Sequence, residues 1–270
     1  MTKREYAEQI VNMIGGEVIE VEKANGLVFT GINRRTEGSN IAPTVYIDNM
    51  YDTNMDVTLA AQKVDGILIQ HQTVQIDVND LSDWNTTKSK LRARLYNSST
   101  HADIKRSAKA YGFNDLIIIP YVTIDSERGM YCKVSKGLAE QWGVTARTIL
   151  DTAIKNSREE IEIISMNVIL REIMGPMADM TLGEDNIPMQ VISNKSRYFG
   201  AIGAVLAREQ LQEMFPNGYI ILPSSVHEVI AIPNDLDAKY EMLTQIVQEV
   251  NSTQVSPEER LGDRAYTIAA

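Results

Sequence analysis

Apolar runs in this chain are strand-sized. Leu116 to Ile119 and Tyr219 to Leu222 are among the longest, against the ~20 residues that a membrane helix needs. A chain patterned this way builds its core from many short elements, each turning one face inward. With 270 residues, 44% of them hydrophobic, it has enough apolar surface to fold without staples. Its single cysteine, Cys132, rules out an internal disulfide, and a buried thiol in a strand-like run is the expected role. The first ten residues carry charges and no apolar stretch, unlike a signal or transit peptide. A soluble, cytoplasmic protein without a membrane partner is expected.

Local periodicity assigns most elements. Tyr6, Ile10, Val11 and Ile14 are spaced for a helix over 3–14, ended by Gly15 and Gly16. Strands are expected at 17–22 and 26–33, joined through the hairpin signal Asn25-Gly26, with a third at 44–47. Asp56 is an N-cap for a helix whose stripe runs from Val57 to Leu68. A second helix, near 86–95, is expected to carry basic residues. A β pair follows at 115–124 and 130–134, then helices near 137–142 and 145–156, the latter capped by Thr145. Beyond a Gly-, Pro- and Met-containing connection come a strand at 189–192, a helix at 198–214, strands at 219–222 and 226–232, a helix at 236–250 and a closing strand at 266–269. The expected fold class is α/β (α+β), with mixed sheets and flanking helices in two halves. These are residues 1–175 and 186–270, with 176–185 as the connecting loop.

The net charge is −10, from 26 Lys and Arg against 36 Asp and Glu. Against that trend, residues 88–109 hold Lys88, Lys90, Arg92, Arg94, Lys105, Arg106 and Lys109 with only Asp103 opposed. Such a cluster attracts phosphate or an acidic partner, protein or nucleic acid, through local potential; a solvated helix face is the plainer account. Ser224, Ser225, His227 and Glu228 invite a hydrolase reading. On a strand, however, His227 and Glu228 point to opposite faces, and no Gly-x-Ser-x-Gly elbow is present. A tight hairpin, with Pro223 fixing the backbone and the serines satisfying turn amides, accounts for the same residues. His71, His101 and His227 have no ligand spacing, so no metal is expected. Neither a Walker pattern nor Gly-x-Gly-x-x-Gly occurs, so no cofactor is expected. Gly200, Ala201, Gly203 and Ala204 fit a helix lying close against a sheet.

Four segments carry a family resemblance: residues 38–46 (Gly-Ser-Asn-Ile-Ala-Pro-Thr-Val-Tyr), Asn194-Lys195 with Phe199-Gly200-Ala201, residues 222–229 (Leu-Pro-Ser-Ser-Val-His-Glu-Val), and residues 251–255 (Asn-Ser-Thr-Gln-Val). Together they resemble the domain-of-unknown-function family five-six-eight-eight of low-GC Gram-positive gut bacteria, over nearly the whole chain. The resemblance implies an architecture and a bacterial cytoplasmic setting. It brings no activity, cofactor or catalytic residue with it, and this chain looks short between Met174 and Met189, where relatives carry a longer acidic insert.

The function expected on these grounds is non-enzymatic: a binding or regulatory module with a macromolecular partner, mobile-element association being one variant. Its contact residues would come from the 224–228 turn, from Asn40 and Tyr46, and from Arg92, Arg94, Lys105 and Arg106. The competing class is a hydrolase or nuclease using His227 with Ser224 or Ser225.

Overall fold

The structure, a computed structural model, describes residues 1–37, 42–71, 78–100, 108–126, 130–175, 188–234 and 240–270. It divides into two compact units, Met1–Val78 and Asn79–Ala270.

In the first unit, α1 (Lys3–Ile14) opens with a capping box: the Thr2 hydroxyl accepts from the Glu5 amide, and the Glu5 carboxylate accepts from the Thr2 amide. Next come β1 (Glu17–Glu22) and β2 (Val28–Asn33), which pair antiparallel, and β3 (Thr44–Tyr46), which adds to β2. The connection between β1 and β2 holds Asn25 at φ 62, the left-handed conformation that asparagine tolerates. After the short α2 (Asp48–Asp52), α3 (Val57–His71) begins where Asp56 Oδ1 accepts from the Thr58 and Leu59 amides. Tyr6 and Ile10 from α1, Ile32 and Val45 from the sheet, and Ala60, Val64 and Leu68 from α3 close one buried cluster.

The helix α4 (Val78–Ser82) starts at the last residue of the first unit; the second unit continues with α5 (Trp84–Thr87) and contains two sheets. In the smaller, β6 (Leu116–Asp125) is central. It pairs with β4 (Leu91–Asn97) along most of its length, and with β5 (Ala108–Lys109) and β7 (Met130–Lys133) toward its two ends. Then come α6 (Lys136–Trp142) and α7 (Ala146–Arg158), whose N-caps Ser135 and Thr145 accept from backbone amides. The larger sheet combines β8 (Ile161–Ser165), β9 (Gln190–Asn194), β10 (Tyr219–Pro223), β11 (Val229–Pro233) and β12 (Tyr266–Ile268), in the order β12-β10-β11-β9-β8. The remaining helices are α8 (Met166–Met174), α9 (Gly203–Leu206), α10 (Arg208–Met214) and α11 (Tyr240–Thr253). Leu91, Ala93 and Leu95 of β4, Ile149 and Ala153 of α7, Ile192 of β9 and Ile221 of β10 belong to one core that joins both sheets. Leu243 of α11 packs with Ile220, Ile232 and Ala265 in a second cluster. Every strand pairing among the described residues is antiparallel, which makes the fold an open α+β arrangement. Among these residues no helix is long and apolar enough to cross a membrane.

Several elements differ from expectation. The basic helix expected near 86–95 ends at Thr87; a single 3-10 turn over Lys88–Lys90 leads into the strand β4. The reason is the alternation Leu91-Arg92-Ala93-Arg94-Leu95-Tyr96, a period of two that β6 completes from across the sheet. The helix expected over 198–214 is broken into a 3-10 turn, Gly200–Ile202, followed by α9 and α10. The strand expected from Val226 begins at Val229, because 225–228 form a turn. The division expected at 176–185 falls inside the second unit: β8 lies before that segment, β9 after it, and the two are hydrogen-bonded neighbours. The segment 176–185 itself lies outside the described residues.

Candidate functional site

Alternation on β4 places Arg92, Arg94 and Tyr96 on one face, and these two arginines have opposite fates. Arg92 makes four hydrogen bonds. Its Nε and Nη2 donate to the two Glu160 oxygens at 2.9 and 2.5 Å, and its Nη1 donates to the Ser89 and Leu91 carbonyls. Arg94 is only 2% exposed, and no carboxylate faces it among the described residues. Its guanidinium lies 4.3 Å from the centre of the Tyr96 ring, 4.4 Å from Phe199, 5.0 Å from Tyr131 and 5.7 Å from Tyr121. Its Nε–H has no acceptor there. Buried charges are ordinarily paired, so a cation held only by ring faces is an exception that calls for a role.

The cage is completed by strained backbone. Phe199 sits at φ 58 and Arg197 at φ 55, left-handed conformations costing ~1–3 kcal/mol each for residues of this kind. Three contacts hold the turn. The Asn194 side chain donates to the Tyr198 carbonyl at 2.8 Å and accepts from the Tyr198 amide at 3.0 Å. The Phe199 amide donates to His227 Nδ1 at 3.2 Å. Gly200 follows because a Cβ there would lie 2.5 Å from the Asn194 backbone nitrogen. The His227 ring stacks on Phe199, with centroids 5.5 Å apart, and leans on Tyr198. Since Nδ1 accepts the Phe199 amide, the ring proton is on Nε2, 3.2 Å from the Glu259 carboxylate. Burial pushes the Tyr121 and Tyr198 phenols up to about 12, so both are neutral donors at ordinary pH.

Beside the cage is an open cleft with roughly 350 Å³ of water-accessible room, lined by Arg92, Tyr121, Thr123, Ser126, Glu160, Lys195 and Ser196. A smaller space of about 20 Å³, room for about one water, shares Tyr121, Thr123, Ser126 and Ser196 with it and adds Asp125, Met130, Tyr131 and Tyr198. Tyr121 and Tyr131 thus border both this space and Arg94.

The remaining candidates are distributed as follows. Ser225 Oγ accepts from the His227 amide, and the Ser225 amide donates to the Glu228 carbonyl at 3.1 Å. Ser224 precedes them, half-buried. The carboxylate that meets the His227 ring is therefore Glu259 rather than Glu228. Tyr46 belongs to the first unit, its ring 4.1 Å from Lys23 Nζ and edge-on to Phe29. Asn40, Lys105 and Arg106 lie outside the described residues. Burial pushes the Cys132 thiol up, away from the range of a reactive thiolate. No group of three or more metal-ligating side chains occurs among the described residues. Site residues with no counterpart among the sequence candidates include Tyr96, Tyr121, Thr123, Ser126, Tyr131, Glu160, Ser196 and Glu259. The alternation on β4 was the available signal for Tyr96; nothing local pointed to Glu259.

Comparison with known proteins identifies a family. The model of a family of unknown function, DUF5688, fits residues 3–268. None of the curated proteins and none of the solved structures matches.

Proposed function

The chain belongs to this family of unknown function, and from that premise we propose that it is a binding module for a macromolecular partner, which it holds at the cleft beside β6. The observation that carries this reading is the commitment of the 224–228 turn. The His227 ring nitrogens meet the Phe199 amide and Glu259, and Ser225 Oγ accepts from the His227 backbone amide, so neither ring nitrogen is directed at the Ser225 hydroxyl as a base would be. The cleft, by contrast, offers exposed Lys195 and Ser196 together with Ser126 and Thr123 over the Tyr121 ring. Such groups provide hydrogen bonds and one unspent charge without reactive chemistry.

The competing hydrolase reading retains one favouring observation: His227 and Glu259 have the geometry of a base and its orienting carboxylate. The deciding experiment is native mass spectrometry of the full chain recovered by gentle lysis from cells that produce it, beside the Lys195→Glu variant. A stoichiometric adduct carried by the parent chain and lost in Lys195→Glu is the expected result. A bare chain, or an adduct indifferent to Lys195→Glu, overturns the reading. Ester or phosphodiester turnover that disappears in a folded His227→Ala variant would establish the hydrolase instead.

A further inference from the structure

Arg94 and Arg92 stand two residues apart on the same strand face, in the same sheet, yet only Arg92 has a carboxylate. Rings of Tyr96 and Phe199 lie within 4.4 Å of the Arg94 guanidinium and occupy its surroundings. The Arg94 Nε–H donor is buried without an acceptor among the described residues, in a side chain that is 2% exposed. The ring nearest solvent is that of Tyr131, which is 38% exposed and lies on β7, opposite Thr123 of β6. Tyr131 also lines the small space that continues the lining of the open cleft. Of the nearby carboxylates, Glu160 is tied to Arg92 and Glu259 to His227, and Asp125 lines the smaller space.

We propose that Arg94 is the anchor for a carboxylate carried by the ligand of this cleft, which reaches the guanidinium edge by displacing the Tyr131 ring. The inference rests on the cleft being a binding site and names the group it selects. An arginine edge presents parallel N–H donors in one plane, the geometry of a carboxylate fork. Four ring centres stand 4.3–5.7 Å from the guanidinium carbon, an aromatic enclosure that suits a small planar carboxylate better than the tetrahedral oxygens of phosphate. Strain at Phe199, held by His227, keeps its ring against the guanidinium and so keeps the receptor formed before the ligand arrives.

The test is a titration of the full chain followed by the side-chain Nε–H resonance of Arg94, identified by its disappearance in Arg94→Lys. Three probes are used: sodium acetate, a blocked tripeptide with a free C-terminal carboxylate, and the amide of that tripeptide. Inorganic phosphate is the control. The expected result is a saturable shift with acetate or with the tripeptide acid, none with the amide, and at least tenfold weaker binding to Arg94→Gln as followed by the Ser126, Lys195 and Ser196 backbone amides. Comparable affinity for acetate and for the tripeptide acid identifies a free small acid as sufficient; much tighter binding of the tripeptide identifies a chain terminus. Tyr131→Ala, a change at a partly exposed ring, is expected to bind the same probe at least as tightly, and it keeps the test open should the Arg94 variants fail to fold. An Arg94 resonance that stays fixed while the Ser126, Lys195 and Ser196 amides respond would overturn the role of Arg94 and leave the cleft as a binding site. Equal shifts with phosphate, or weaker binding by Tyr131→Ala, would also overturn it.

Discussion

Replacing Arg94 with methionine separates a functional cation from a structural one. Burying an ion costs several kcal/mol in a real protein, and an unmet donor adds ~1–3 kcal/mol; Arg94 is 2% exposed and its Nε–H is unmet. Against this stand the Tyr96 and Phe199 rings at 4.3 and 4.4 Å, worth ~1–2 kcal/mol each when desolvated. The Tyr131 and Tyr121 rings at 5.0 and 5.7 Å are worth ~0.5 kcal/mol each. The rings return less than burial costs, leaving a deficit of about 2 kcal/mol. Methionine keeps much of the volume and contacts the same rings through its sulfur. Arg94→Met is therefore expected to stabilise the second unit by about 2 kcal/mol, raising Tm by roughly 4–8 °C for a domain of this size. Trp84 and Trp142, 5.5 Å apart, both belong to that unit, and they are the only tryptophans in the chain. Urea unfolding followed by tryptophan fluorescence thus reports on the second unit alone. A loss of stability of about 1 kcal/mol or more would mean instead that the rings hold the cation more strongly than burial penalises it.

Gly200→Ala is expected to cost about 3 kcal/mol, since the new Cβ would meet the backbone nitrogen of Asn194 at 2.5 Å and backbone cannot swing aside; the urea midpoint checks this. His227→Ala removes the acceptor of the Phe199 amide and the donor to Glu259. It should lower stability by ~1–3 kcal/mol, measured in the same assay, and a neutral result would show that the turn at 194–199 holds without the ring. Stability is also expected to fall at alkaline pH. Tyr121 is raised from 10.0 to about 12, chiefly by burial, so the unfolded chain ionises first, and this contribution is whole below about pH 10 and fades toward pH 12. Two pH units correspond to roughly 2.7 kcal/mol for a buried phenol. A Tyr121→Phe variant that loses stability as steeply as the parent between pH 9 and pH 11 would sink that assignment.

Much of the first unit was legible because its signals are local. The helix over 3–14 and the strand over 17–22 have the bounds that periodicity and glycine predict. Asp56 and Thr145 cap the helices that they were expected to cap. A cap or a hairpin turn is decided within a few residues, so short-range chemistry suffices. The site was legible only in fragments. Residues 222–229 and Phe199-Gly200 drew notice, and their tight-turn account agrees with the bond from the His227 amide to Ser225 Oγ. Arginines within 88–109, however, suggested a solvated helix face. In the folded chain Leu91, Ala93 and Leu95 turn into the core, and Arg94 goes under the rings of Tyr96, Tyr121, Tyr131 and Phe199.

Neighbours along the chain are enough to set the kind and place of most elements and to keep apolar runs short of membrane length. Packing between distant segments is what makes residues 91–97 a strand, divides the chain at Val78, holds Phe199 at φ 58 and brings His227 to Glu259. Each of these depends on groups far apart in sequence. Their contacts outweigh local preference only once the sheets have closed around a shared core and excluded water from the charge of Arg94.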